Sequence, residues 1–350
     1  MSRRSGILVR NVYCMLAYAF QALRQKRWED LGAENFEHVH DLFAAILARG
    51  MARQLKQGIY REYVPAEAEL AGLRGRIDMR RSMLSRLAGR RTLACAFDEL
   101  SEDNLLNRIL KTAALLLLRH GRVHARRKQR LLQVLPGYAY AGTIDPSQVQ
   151  WPSGRFQRGA AECRMLAGLC RLLFDGMLLT TEQGELRLAS FLDGQQMCRL
   201  FEKFILEYYS QERPCGVSAS SPWIAWALDG GQARGLPAML TDVALEKDGR
   251  CLVIDAKYYG SVFQSRGAQS TFHSANLYQI FAYVKNMAAA KGPSATVSGM
   301  LLYAATGERV PPSSYQMSGN RIGVRTLDLN RPFEEIKAQL DGIASEHFAG

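Results

Sequence analysis

Leu240-Thr-Asp-Val-Ala-Leu-Glu-Lys-Asp-Gly-Arg-Cys-Leu-Val-Ile-Asp-Ala-Lys-Tyr-Tyr259 is the stretch whose reading decides the fold. Asp248-Gly249 marks a two-residue hairpin turn, because a type I′ turn requires positive φ at both central residues. A loop centred there pairs Lys247 with Arg250, Leu245 with Leu252 and Asp242 with Asp255. Lys257 follows Asp255 by two residues and shares its sheet face. Directly opposed side chains lie about 4.5–5.5 Å apart at Cβ, where like charges repel. Two carboxylates held together beside a lysine make sense when a divalent cation sits between them. Cys251-Leu-Val-Ile254 reads as a buried strand, and charge at its end is costly unless paired or metal-bound. The only other acid-x-Lys triplet, Glu335-Ile-Lys337, falls in a segment of helical period and reads as a solvated helix face.

The 350 residues suggest two domains, and 47% hydrophobic content is ordinary for a globular core. A net charge of +12, with a pI near 9.5, favours an anionic partner, nucleic acid first. The seven cysteines are scattered and form no C-x-x-C pair, so neither a disulfide framework nor a zinc ribbon is indicated, and a reducing cytoplasm fits. No H-E-x-x-H occurs among the six histidines, of which only His273 falls near the proposed site. The longest strongly apolar run, Ala113 to Leu118, cannot span a bilayer, and the first residues lack a signal-peptide pattern. No membrane partner is expected. A G-x-x-x-x-G-K-[ST] motif is missing, so nucleotide hydrolysis by a P-loop of this chain is not expected either.

Periodicity predicts helices over 9–26 and 36–57, extended chain over 58–71, and a turn bracketed by Gly72 and Gly75. Ser101 is the expected N-cap of a helix to about His120, with Glu102 and Asp103 in its first turn. A helix over 122–134, a loop or linker over 138–158, a helix over 160–178 and a hairpin-like stretch over 179–192 follow. From 195 the pattern becomes α-β-β-β-α-β: helix 195–212, strand 222–228, hairpin 239–258, helix 275–290 and strand 297–304. A strand over 322–329 and a helix over 332–347 close the chain. The expected domains are 1–158 and 159–350.

Asp, a hairpin, then Asp-x-Lys is the pattern of the PD-(D/E)xK nuclease superfamily. The wording resembles one branch more closely: the McrC family, nuclease subunits of McrBC modification-dependent (5-methylcytosine) restriction systems. The matching phrases are Val9-Arg-Asn-Val-Tyr13, Leu16-Ala-Tyr18, Gly72-Leu-Arg-Gly-Arg-Ile-Asp78, Phe97-Asp-Glu-Leu-Ser-Glu-Asp-Asn104 and Asn107-Arg-Ile-Leu-Lys111. Thr241-Asp242, Ile254-Asp-Ala-Lys-Tyr-Tyr259 and Phe272-His-Ser-Ala-Asn-Leu-Tyr-Gln279 complete an ordered set that spans nearly the whole chain. The resemblance implies an α+β or α/β protein. A mainly helical N-terminal partner-binding domain would precede a restriction-endonuclease-like domain with a mixed sheet flanked by helices. It also implies cleavage of modified double-stranded DNA, and docking into a hexameric AAA+ GTPase ring, McrB, whose GTP hydrolysis the chain stimulates.

Phosphodiester cleavage needs a placed water and neutralisation of charge on the phosphoryl group. Mg²⁺ suits both tasks and binds through one or two carboxylates. Asp242 and Asp255 are the expected metal ligands, with the Ala256 carbonyl a possible third. Lys257 would orient or help deprotonate the water, or stabilise the phosphorane-like state; the residues alone leave these roles open. Glu202, on the preceding helix, matches where related nucleases often carry an acid, against the reading of an exposed helix carboxylate. Gln279, on the following helix, could hydrogen-bond phosphate or the lysine. Arg74 and Arg76 flank a glycine-framed turn suited to reaching a partner's nucleotide site, Arg76 being preferred. The basic run Arg119–Arg130 could contact DNA phosphates or be a solvated helix face. The competing readings are a non-catalytic regulator of an AAA+ NTPase and a free-standing DNA-repair nuclease.

Overall fold

The computed structural model describes residues 9–20, 23, 28, 31, 34, 36, 38–151, 161–178, 195–258, 263–266, 269–305 and 311–348. Packing divides the chain into two compact units: residues 40–187, and residues 1–39 together with 188–350. The expected boundary at 158 lies outside the described residues. The first helix, α1 (Val9–Ala19), belongs with the C-terminal half. Its Asn11 amide donates to the carbonyls of Leu329 (2.7 Å) and Arg331 (2.9 Å), and its Tyr18 ring meets Phe204 at 5.7 Å.

The middle unit contains α2 (Val39–Gln57), β1 (Glu62–Leu70), β2 (Arg76–Ile77), α3 (Met79–Leu87), β3 (Leu93–Ser101), α4 (Leu105–His120), α5 (Ala125–Val134) and α6 (Ala161–Leu178). A buried polar chain ties three of its segments together. The Tyr138 hydroxyl donates to Gln54 (2.8 Å), whose amide donates to the Cys163 sulfur (3.4 Å). Beside these helices the unit carries a three-stranded antiparallel sheet in the order β1-β3-β2, of which only the extended chain at 58–71 was expected. β3 was not foreseen because Leu93-Ala-Cys-Ala-Phe carries no β-branched residue and little alternation. Ser101 is not a helix cap, since it ends β3 in register with Glu62. Asn104 caps α4 instead, accepting from the Asn107 N–H at 3.1 Å.

α3 is inverted in polarity. It buries Ser82 and Ser85, whose hydroxyls bond Ala94 and Glu69, and exposes Met79, Met83, Leu84 and Leu87. Gly75, just before β2, has φ +68°, and a Cβ there would lie 2.4 Å from the Ala96 carbonyl oxygen.

The other unit continues with α7 (Gln195–Glu212), β4 (Ser218–Ser220), β5 (Trp223–Ile224), β6 (Met239–Leu240), β7 (Val243–Lys247), β8 (Arg250–Lys257), β9 (Phe263–Arg266), β10 (Gln269–Phe272), α8 (Ser274–Lys291), β11 (Thr296–Ala305), β12 (Ser313–Met317), β13 (Asn320–Asp328) and α9 (Phe333–Phe348). Six strands form one sheet in the order β12-β13-β11-β8-β7-β4. β11 runs parallel to both β8 and β13, while the hairpins β7–β8 and β12–β13 are antiparallel, so the sheet is mixed as expected. Asp248 and Gly249 have φ of 48° and 74°, which the type I′ turn requires. α8 makes the crossover that a parallel β8–β11 pair demands. Its Ile280, Tyr283, Val284 and Met287 cover Cys251, Val253 and Leu301, and α7 also packs on β8. β8 is therefore buried on both faces from Cys251 to Ala256, which explains its continuous apolar wording.

Two details differ from expectation. The strand placed at 222–228 is only Trp223–Ile224, and the long hairpin is broken, because Met239–Leu240 pairs with that strand rather than with β8. The hairpin-like stretch at 179–192 lies outside the described residues. Among the described residues no helix is long and apolar enough to cross a membrane.

Candidate active site

The centre forms where β8 leaves its apolar core. Asp255 is fully buried, and its Oδ1 accepts from the Lys257 Nζ at 2.9 Å. The lysine side chain is itself only 13% exposed. Asp242 does not continue the ladder, which ends at Val243–Ile254; it sits in the bend between β6 and β7. Its Oδ2 there accepts the Ala256 N–H at 2.8 Å, taking the place of a strand carbonyl. The two acids are thus neighbours, although not as the extended strand pair the sequence suggested. In an antiparallel pair a residue's N–H and C=O leave on one edge, so the Ala256 carbonyl faces the side from which Asp242 approaches.

The approach to Asp242 is held by a clamp that sequence reasoning missed. Thr241 is buried, its hydroxyl donates to the Pro222 carbonyl (3.3 Å), and the Ser221 hydroxyl donates to the Thr241 carbonyl. On the neighbouring strand, Tyr303 stands beside Lys257 in register and its hydroxyl accepts from the buried Asn276 amide at 3.0 Å. Asn276 lies within a phrase singled out above, but only the fold reveals its partner.

Electrostatics bring Glu202 into the same centre. Burial pushes its carboxyl up to about 7; Asp242 and, more weakly, Asp255 add to the rise, and Lys257 opposes it. Burial also raises Asp255, with Lys257 opposing and Asp242 adding to the effect. Asp242 is raised by burial as well, against Lys257 and the Ala256 N–H. Three carboxyls share one amine, an arrangement that calls for further positive charge.

The fit to a metal rests on one atom above all. The Asp255 Oδ2 is buried and has no hydrogen-bond partner among the described residues. Such an orphan costs about 1–3 kcal/mol or more unless a cation or water meets it. Among the described residues no three His, Cys, Asp or Glu side chains group tightly enough to hold a metal by themselves. A cation here would rest on two carboxylates, a backbone carbonyl and waters, a set that suits Mg²⁺ and not a closed zinc site.

Gln279 donates to Tyr283 on its own helix at 2.9 Å. Arg74 stacks over the Phe97 ring (3.9 Å) and faces Glu99 (3.7 Å), whereas Arg76 is exposed on β2. In the basic run, Arg127 is structural, paired at 2.6 Å with the buried Asp41, while Arg126 and Arg130 are exposed.

Comparison with known proteins adds an independent line. The family described as McrBC 5-methylcytosine restriction system component matches residues 4–304. The type IV methyl-directed restriction enzyme EcoKMcrBC of Escherichia coli strain K12 is 26% identical over 347 residues, covering 97% of this chain and 98% of that relative. Two solved assemblies from Thermococcus gammatolerans show a weaker likeness. One is the half-complex of McrB AAA+ hexamers with bound McrC (TM-score 0.48, 18% identity, 96% of this chain, 76% of that one). The other is the McrBC complex (TM-score 0.40, 21% identity, 60% of each chain).

Proposed function

The chain belongs to the McrBC 5-methylcytosine restriction system component family, and on that premise we propose that it is the endonuclease subunit of a restriction complex acting on modified DNA. The observation that carries the reading is a buried Asp255 oxygen that meets no donor among the described residues, beside a second acid and a lysine. Mg²⁺, when bound, supplies a nucleophilic water and neutralises charge on the phosphoryl oxygens. Asp242 and Asp255 hold it, with the Ala256 carbonyl. Lys257 is held by Asp255 through a 2.9 Å hydrogen bond, which sets its amine to orient the water or to meet charge on the phosphate. Burial lifts the Glu202 carboxyl to about 7, so it is partly protonated at neutral pH, and a cation in the site would favour its ionised form. Seven free thiols agree with work in the cytoplasm.

The partner in this reading is an AAA+ GTPase ring of the McrB type, with the middle unit as the docking element and the exposed Arg76 as its contact. Two variants of the assembled complex test the division of labour. Asp255→Ala loses Mg²⁺-dependent cleavage and still stimulates the ring's GTPase, while Arg76→Ala shows the opposite loss. Normal cutting by Asp255→Ala ends the nuclease reading. Cleavage without a ring, on unmodified duplex, would favour a free-standing repair nuclease.

A further inference from the structure

β5 and β6 form a two-stranded ribbon immediately ahead of Asp242, pairing Trp223 with Leu240 and Ile224 with Met239. Its inner face is core: Ile224 and Met239 are buried in the cluster that includes Ala244, Val253 and Tyr303. Its outer face is the reverse, with Trp223 69% and Leu240 43% exposed. A large aromatic left in solvent opposite an exposed leucine marks a contact surface more often than a packing defect.

The ribbon is braced. The Trp226 indole N–H donates to the Pro237 carbonyl (2.7 Å), and the Ala227 N–H donates to Asn286 of α8 (2.7 Å). Trp223 is thus presented on a supported element, at little ordering cost to a ligand. Its position selects the ligand. Leu240 stands two residues from Asp242, at most about 7 Å along the chain, and Trp223 lies across the pair, about 5 Å further. Roughly 12 Å is the rise of three or four base pairs. A duplex whose phosphodiester rests on the acids comes within reach of this face, which makes DNA the occupant argued for.

We propose that the Trp223–Leu240 face contacts DNA, the indole wedging against a base that is unstacked at the cut phosphodiester. The inference rests on the nuclease reading above and adds a positioning surface to it. Stacking on an exposed base is worth about 1–3 kcal/mol, so Trp223→Ala lowers kcat/KM for DNA cleavage by about five- to a hundred-and-fiftyfold. Trp223→Phe, which keeps a π-face, retains most of the rate, and Leu240→Ser falls in between.

The test uses the full chain in complex with its AAA+ partner and a methylated duplex carrying 2-aminopurine near the cut. Ca²⁺ replaces Mg²⁺ for the fluorescence arm. Quenching of the probe by the wild type, lost in Trp223→Ala and kept in Trp223→Phe, supports the contact. Wild-type cleavage by Trp223→Ala overturns it. Loss of assembly with the ring by Trp223→Ala, at unchanged fold, also overturns it and assigns the face to protein. Cleavage by Asp255→Ala sinks the nuclease reading beneath it, so the two failures are told apart.

Discussion

Glu202→Gln isolates the charge imbalance of the acidic centre. Gln has the shape of a protonated Glu, so the substitution fixes the neutral form. The carboxyl rises from its ordinary 4.5 to about 7 on folding. A raised acid binds its proton more tightly in the folded state. Its contribution is fully present below the unfolded value and is lost as pH climbs through the folded one. At 1.36 kcal/mol per pKa unit the rise corresponds to roughly 3 kcal/mol, which screening at this partly solvated group reduces to about 2. Metal-free wild type therefore loses about 2 kcal/mol between pH 4 and pH 8 through this group. Glu202→Gln matches the wild type at pH 4 and is about 2 kcal/mol more stable at pH 8. Urea unfolding in EDTA at both values measures the difference, and other titrations cancel between variant and parent. A variant equally destabilised at both pH values would refute the reasoning, because it would show a packing role and no charge crowding.

Lys257→Met removes the one amine among three acids. Breaking a buried pair costs about 3–5 kcal/mol when the remaining charge cannot escape. Asp255 can take up a proton, so the loss in urea unfolding is smaller at pH 6 and grows toward pH 8. Gly75→Ala places a methyl against the Ala96 carbonyl at a φ of +68° and costs about 1–3 kcal/mol. Hydrogen exchange should show faster amides across β2 and β3 and unchanged protection in β8.

The candidate site was legible because its determinants are local. Asp248-Gly249 specifies the turn, Cys251-Leu-Val-Ile254 specifies a strand buried on both faces, and Asp255 with Lys257 follow by alternation. Asp242 was chosen correctly as a neighbour for an incomplete reason, since β5 draws β6 away and the acid reaches Ala256 from a bend. Glu202 could be named by resemblance, but its approach to the acids depends on helix packing across some forty residues. The Thr241–Ser221 clamp and the Asn276–Tyr303 bond depend likewise on contacts distant in sequence. The middle unit was read least well. β3 lacks β-branched residues, and α3 buries serines under exposed methionines and leucines, the opposite of the pattern that marks a packed helix.

Helix α1 carries a practical warning for anyone trimming this protein. Asn11 closes two main-chain carbonyls more than three hundred residues downstream, and the Tyr18 hydroxyl reaches Glu212. Deleting the opening residues to map the proposed docking of a ring would strip a buttress from the unit that holds Asp242 and Asp255 instead. Lost activity in such a deletion series would then report damage to that unit, and internal excision between residues 40 and 187 is the cleaner way to separate the two proposed tasks.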